Sequence, residues 1–230
     1  MKKIYFLAYA FLYLFCTSNE QTTQTVGLYT HTTGSEDDGY VLFAPIEGSD
    51  TAYLIDKCGK AVHKWAGDYT PGLDVYLLPD GSLLRSGNYH NPVFDSTNIS
   101  AGGIIERYDW NGHLLWHYII SDSFQTQNHD IYYMPNRHIL VAIWDVISYT
   151  EAIANGRNPA TLGANLWSAK VMEIEPIGTN SANIIWQWRA WDHLIQDYDS
   201  TKLNYGVVAD HPELLNLNYT NYTYTSTISD

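Results

Sequence analysis

Leu73-Asp74-Val75-Tyr76-Leu77-Leu78-Pro79-Asp80-Gly81-Ser82-Leu83-Leu84 aligns without a gap on His129-Asp130-Ile131-Tyr132-Tyr133-Met134-Pro135-Asn136-Arg137-His138-Ile139-Leu140, 56 residues further on. Each copy reads as a short strand, a Pro-led turn and a second strand. Asp80-Gly81 and Asn136 are turn residues for a physical reason: Gly supplies positive φ, and an Asp or Asn side chain bonds the backbone two residues on. The apolar and aromatic positions on either side favour a pleated, half-buried surface.

Working outward, each copy follows another hairpin. Ile55-Asp56-Lys57-Cys58-Gly59-Lys60-Ala61-Val62-His63-Lys64-Trp65 matches Tyr108-Asp109-Trp110-Asn111-Gly112-His113-Leu114-Leu115-Trp116-His117-Tyr118 in its Asp, its Gly, its aliphatic residue and its closing aromatic. A looser third copy runs Val171-Met172-Glu173-Ile174-Glu175-Pro176, then Asn183-Ile184-Ile185-Trp186-Gln187-Trp188. Two hairpins per unit, 55–65 with 73–84 and so on, make a four-stranded antiparallel sheet recurring along the chain. That is the habit of β-propeller blades. A β-sandwich is the alternative, but it has no need to repeat its aromatic positions.

Units begin near Tyr53, Ile104 and Val171, and no strand–Pro–turn–strand copy follows Trp188. The expected fold class is therefore all-β, an incomplete β-propeller over residues 26–230 with about two and a half four-stranded blades. Such a piece is expected to expose apolar surface at its open side. Strands are expected over Tyr53–Asp56, Val62–Trp65, Val75–Leu78, Leu83–Arg85, Ile104–Tyr108, Leu114–Tyr118, Ile131–Met134, Ile139–Trp144, Val171–Glu175 and Ile184–Trp188. Two segments interrupt the repeat. One is a short helical insertion near 148–157, carrying Glu151-Ala152-Ile153-Ala154 and stopping at Asn155-Gly156. The other is a long loop over 189–230, and long loops in compact folds are often functional.

Composition agrees with a sheet protein that has a real core. Of 230 residues, 45% are hydrophobic and only 16% charged, with 8 Trp and 19 Tyr. The net charge of −13 argues against nucleic acid as a partner, since no basic face is available to meet phosphates. An anionic substrate needs a local cluster of donors.

Lys2 and Lys3 precede an apolar run from Ile4 to Cys16, with polar residues from Thr17. That run has the length of a signal-peptide core and is short for a stable membrane span. Residues 1–18 are expected to be a signal peptide, and the mature chain periplasmic or secreted. An N-terminal anchor and a lipid-modified Cys16 are the alternatives. If Cys16 leaves with the signal, Cys58 remains alone, and neither a disulfide nor a cysteine zinc site is expected.

His129 is the leading candidate for chemistry. It stands at the first position of the second inner copy, where the first copy has Leu73. The innermost strands of a propeller line its channel, and an imidazole there serves as base, nucleophile or donor. The plain alternative is a half-buried histidine bonded to a turn. Asp130 is read as structural, because neighbours on a strand point to opposite faces. His193, after Trp191-Asp192 in the long loop, and His90, just beyond an inner hairpin, are further candidates; His211 reads as a turn cap. The sequence carries no G-x-S-x-G, H-E-x-x-H, P-loop or EF-hand pattern, and no metal site is expected.

Tyr53-Leu54-Ile55-Asp56 with Cys58-Gly59, Leu77-Leu78-Pro79-Asp80-Gly81, His129-Asp130-Ile131 with Pro135-Asn136, Glu151-Ala152-Ile153-Ala154 and Trp191-Asp192-His193-Leu194-Ile195-Gln196-Asp197 resemble the bacterial arylsulfate sulfotransferases, in particular an exported branch. The similarity runs from about Val26 to Asp230, and the tract from Trp191 to Asp210-His211-Pro212-Glu213-Leu214 is its most specific part. The resemblance implies a six-bladed propeller and transfer of a sulfuryl group from a phenolic sulfate to another phenol through a transiently sulfated histidine. It implies no cofactor and two small partners, a phenolic sulfate donor and a phenol acceptor. His129 matches an active-site position with a role in binding or proton transfer. Asn128 stands where members of the branch often have a second histidine. His90 and His193 are the remaining substrate-binding candidates. The family's His-x-Asn motif and its nucleophilic histidine would lie beyond Asp230. A non-catalytic propeller that binds an aromatic or glycan ligand is the competing function, and a quinone-cofactor dehydrogenase propeller is a third.

Overall fold

The computed structural model describes residues 32, 34–35, 37–45, 47–92 and 102–219. The strands are β1 (Tyr40–Phe43), β2 (Thr51–Asp56), β3 (Ala61–Ala66), β4 (Pro71–Leu77), β5 (Leu83–Asn88), β6 (Gly103–Tyr108), β7 (Leu114–Ile119), β8 (Gln125–Tyr133), β9 (Ile139–Ile147), β10 (Leu166–Ile177), β11 (Ser181–Arg189), β12 (Leu194–Ile195) and β13 (Leu215–Asn216), with helix α1 (Tyr149–Ala154) between β9 and β10. Three antiparallel sheets follow one another in sequence: β1-β2-β3, then β4-β5-β6-β7, then β8-β9-β10-β11. The chain is all-β, a partial β-propeller, and among the described residues the sheets do not close a ring. The signal peptide expected over 1–18 lies outside the described residues.

Every strand expected from the sequence is present, but the sheets are cut differently. The inner copy 73–84 does not share a sheet with the hairpin 55–65 before it; it joins the hairpin 104–118 after it, with Arg85 opposite Glu106. A repeat looks the same wherever its period is cut, so self-similarity cannot tell which hairpins share a ladder. The buried charges do. Arg85 Nε donates to Glu106 Oε2 at 2.9 Å, Tyr108 OH donates to Glu106 Oε1 at 2.6 Å, and Arg85 reaches back to the carbonyls of Asp50 and Tyr69. β1, a polar-flanked strand of four residues, has no copy elsewhere and was not expected.

The sheets pack face on face in sequence order. Leu83 and Tyr108 of the second sheet meet Ala52, Leu54 and Trp65 of the first. Leu84, Ile105 and Trp116, on the opposite face, meet Ile131, Val141, Ile143 and Ile174 of the third. Alternation along the strands produces this arrangement, since i and i+1 face opposite ways. The second sheet is thus apolar on both sides.

Two details repeat. The turn of 78–82 has Gly81 at φ 82°, and its copy at 134–138 has Arg137 at φ 70°. Both turns are closed the same way, Leu78 N to Ser82 O and Met134 N to His138 O. Each outer hairpin also slips register by one residue, at Leu54/Ile55, Arg107/Tyr108 and Glu173/Ile174. The bulge delivers an aromatic ring at the next position: His63, Trp116 and Trp186. The first two reach the following sheet, His63 Nε2 to Trp110 O at 2.6 Å and Trp116 Nε1 to Ser181 O at 2.8 Å.

The expected helical insertion is α1, capped by Ser148, whose Oγ accepts from Glu151 N at 3.1 Å. The long loop folds onto it. Trp191 Nε1 donates to Glu151 Oε1, and Ile147, Ala152, Trp191 and Leu217 form a separate small core. Buried Gln196 holds 196–206 together through four bonds, donating to Asp199 O and Leu203 O and accepting from Tyr198 N and Asp199 N. A side chain at Gly156 would collide with that amide. The absence of a disulfide was expected for a chain that has lost Cys16 with its signal; in the full-length chain Cys58, half-buried in a turn where its N–H donates to Asp56 Oδ1 at 2.9 Å, is disulfide-bonded. Apolar surface is exposed on the outermost strand β11, at Ile184, Ile185 and Trp186.

Candidate functional site

The antiparallel ladders send the tight turns (57–60, 78–82, 109–113, 134–138, 178–180) to one end of the sheets. The connections 67–70, 120–124, 148–165 and 190–219 go to the other, as do residues 44–45 and 47–50 and the ends of β5 at Asn88 and β6 at Gly103. His90 and His193 belong to this second end. Asn128 and His129 sit in a bulge of β8, after its first three residues from that end.

The bulge is built by register. Gln127 pairs with Ile143 and Ile131 with Val141, so the three residues between them oppose Ala142 alone. β4 has the same slip between Pro71 and Val75, where Leu73 takes φ 87°. Buried Gln127 anchors the near side: its Oε1 accepts from Gly103 N at 2.7 Å and its Nε2 donates to Asn128 O. On the far side, Asp74 Oδ2 accepts from Ile131 N at 2.7 Å and Tyr76 OH donates to Ile131 O at 2.9 Å.

Within the bulge, Asn128 Oδ1 accepts from His129 N at 2.9 Å, and His129 Nδ1 lies 2.7 Å from Asp130 Oδ1. The expectation that Asp130 faces away from His129 is therefore corrected: the bulge suspends the strand's alternation and lets neighbours meet. A carboxylate oxygen only accepts, so the geometry places a proton on Nδ1 and leaves Nε2 outside this contact. The His129 side chain is 38% exposed. Burial pushes the Asp74 carboxyl above its ordinary range, against the Ile131 N–H; Asp130 adds to the rise and His129 opposes it. Asp74, His129 and Asp130 thus form one electrostatic group across β4 and β8.

His193 does not join that group. It closes the turn Ala190–Asp192, its carbonyl accepts from Leu215 N at 2.7 Å, and its ring stacks on Trp188 at 5.1 Å. It follows β11, whereas His129 is on β8, so roughly three strand spacings, ~14 Å, separate them across the sheet. His90 is exposed in the β5–β6 connection. His211 pairs with Glu213 at 2.9 Å on the exposed long loop. The structure brings Asn128 and His129 together and leaves His193 outside the bulge.

A second polar cluster was not singled out in the sequence. Asp145, almost buried, receives Lys170 Nζ at 2.7 Å and Arg189 Nε at 2.8 Å, and Lys170 also donates to Gln125. Its carboxylate holds the Arg189 guanidinium above its ordinary range. These cations are already neutralised within the third sheet. The one sequence signal for the cluster was Asp145 standing amid the alternating apolar run of β9.

A cavity of about 200 Å³ lies between the second and third sheets, lined by Leu84, Arg107, Trp116, Tyr133, Ile139 and Pro176. It is at the tight-turn end and holds none of the candidate histidines. Among the described residues, no group of three His, Cys, Asp or Glu is placed to hold a metal, and no helix is long and apolar enough to cross a membrane. No protein-family model matches the chain, and no curated protein matches its sequence.

Proposed function

We propose that this chain is part of an exported aryl sulfotransferase, and that His129 serves its sulfuryl-transfer site. The observation that carries the reading is the bulge on β8, which presents a half-exposed imidazole with Nδ1 held by Asp130. In the reaction, a bond forms between sulfur and a histidine nitrogen as the sulfur–oxygen bond of the aryl sulfate breaks, and the phenol leaves with a proton. A second phenol then attacks the sulfur and gives up its proton as the sulfur–nitrogen bond breaks and the histidine is regenerated. His129 is assigned to binding sulfate oxygens or moving those protons, not to the nucleophile. As an imidazolium its Nε2–H donates to an anionic oxygen; as a neutral ring its Nε2 accepts the phenol's proton. Asn128 positions the His129 backbone. His90 and His193 are assigned to a wider substrate contact at the loop end.

The test is release of 4-nitrophenolate from 4-nitrophenyl sulfate with phenol as acceptor, using the complete product of the native gene. His129→Ala should lower transfer by about 10²-fold, the scale of a lost acid–base or charge-stabilising group. His129→Asn should recover part of that if the role is donation to sulfate, and none if it is proton transfer. His113→Ala is the control, because that ring is exposed at a turn tip on the opposite end. Unchanged transfer in His129→Ala removes the assignment.

A second reading, a non-catalytic propeller that binds an aromatic or glycan ligand, is favoured by the exposed Phe124, Tyr149, Tyr198 and Tyr205 in the loop-end connections. It predicts no transfer in the wild type and ligand binding that His129→Ala leaves intact.

A further inference from the structure

The cavity of about 200 Å³ between the second and third sheets contains none of the candidate histidines, and it has a floor and a rim of its own. Leu84, Trp116 and Ile139 form the floor and are buried. Half-buried Arg107 and Tyr133 and exposed Leu115 stand at the rim. Strand register explains the walls. Leu84, Arg107 and Trp116 lie opposite one another on β5, β6 and β7, so they share the face turned to the third sheet. Tyr133 and Ile139 lie opposite one another on β8 and β9. The Arg107 guanidinium is fixed along one edge: Nε donates to Ser82 Oγ at 3.0 Å and Nη2 to Asp80 Oδ2 at 2.5 Å. Arg107 Nη1 and the Tyr133 hydroxyl make no hydrogen bond among the described residues.

We propose that this cavity binds a one-ring aromatic molecule carrying an uncharged hydrogen-bond acceptor, of the aromatic-amide class. Volume sets the size. An apolar cavity of ~150 Å³ accepts benzene, and pockets for drug-sized ligands run from about 300 Å³ upward. The space here falls between the two, enough for a ring and a short substituent. Trp116 and Tyr133 set the preference for an aromatic ring, since stacked or edge-to-face aromatic pairs gain more than their burial alone. Arg107 sets the polar group, with Nη1 as the donor to a ligand oxygen. A carboxylate is the poorer partner: Asp80 already offsets the guanidinium charge, and the chain's net charge of −13 repels an anion. An amide oxygen accepts the same hydrogen bond with no charge to repel. The site binds and is assigned no reaction. The inference rests on this cavity alone and stands independently of the sulfuryl-transfer reading.

Benzamide is the probe, titrated against the complete gene product labelled with 5-fluorotryptophan and followed by fluorine NMR, the Trp116 signal being assigned from Trp116→Phe. Benzamide should shift the Trp116 signal saturably, with a dissociation constant of about 1 mM, the scale for a ligand of this size. Benzoate adds a charge and cyclohexanecarboxamide removes the aromatic ring; each should bind about tenfold more weakly. Arg107→Met should weaken benzamide by about tenfold, the loss of one hydrogen bond to a charged group. Leu115→Trp puts a ring at a rim position that is already exposed, and should abolish the Trp116 shift while the other tryptophan signals stay in place. An unmoved Trp116 signal at about 20 mM benzamide, far above the expected constant, would overturn the proposal. So would equal shifts of every tryptophan signal, equal binding of the three probes, or undiminished benzamide binding in Arg107→Met.

Discussion

Asp74 on β4 accepts the backbone N–H of Ile131 on β8 at 2.7 Å, across the gap between two sheets. The contact closes the bulge that presents His129, so the innermost strand of one sheet holds the candidate site of the next.

Asp74→Ala should orphan the Ile131 N–H and destabilise by about 1–3 kcal/mol. Asp74→Asn keeps an acceptor oxygen without a charge to bury and should be close to neutral at pH 7. The sign with pH follows from the raised carboxyl: its contribution is fully present below the unfolded-state value and is lost as pH rises through the folded-state value. Urea titrations of wild type and Asp74→Asn from pH 3 upward should show the wild type losing ground to the variant as pH rises. Parallel curves would contradict this.

Removing one partner of the Arg85–Glu106 pair should be costly. Both side chains are buried, and Arg85→Ala leaves the Glu106 carboxylate buried without its cation, with Tyr108 OH still donating to it, a loss of about 3–5 kcal/mol. The combination Arg85→Met, Glu106→Leu and Tyr108→Phe removes all three polar groups together and should recover most of that loss in the same melt.

Arg137 holds φ 70° where its copy has Gly81 at φ 82°. A left-handed residue with a side chain costs roughly 1–2 kcal/mol, offset in part by glycine's freedom in the unfolded chain. Arg137→Gly should therefore raise stability by about 0.5–1 kcal/mol, and Gly81→Ala should lower it. A fall in melting temperature for Arg137→Gly would show that its side chain makes up for the strain.

Trp116 and Trp186 occupy matched places but differ in partners. Trp116→Phe should cost about 1 kcal/mol through the lost bond to Ser181 O. Trp186→Phe, on the open face, should change chain stability by less than about 0.5 kcal/mol. Equal losses at the two positions would mean that Trp186 is already engaged.

The strands, the turn at Pro79-Asp80-Gly81 and the helical stop at Gly156 were legible because they rest on local chemistry. The pairing of His129 with Asp130 was not, because a bulge depends on what the neighbouring strand leaves unpaired. The Asp145–Lys170–Arg189 cluster was hidden for a similar reason: its members are far apart in sequence and meet only across β9, β10 and β11.

By itself the sequence determined the repeat: strand-length apolar runs, turn residues at fixed offsets and aromatics at matched positions, all enforced by backbone sterics and burial within a few residues. Only the tertiary structure decided where one sheet ends and the next begins. A repeated pattern has no preferred starting point, and the choice fell to contacts between distant residues, Arg85 with Glu106 inside the second sheet and Asp74 with Ile131 between the second and third.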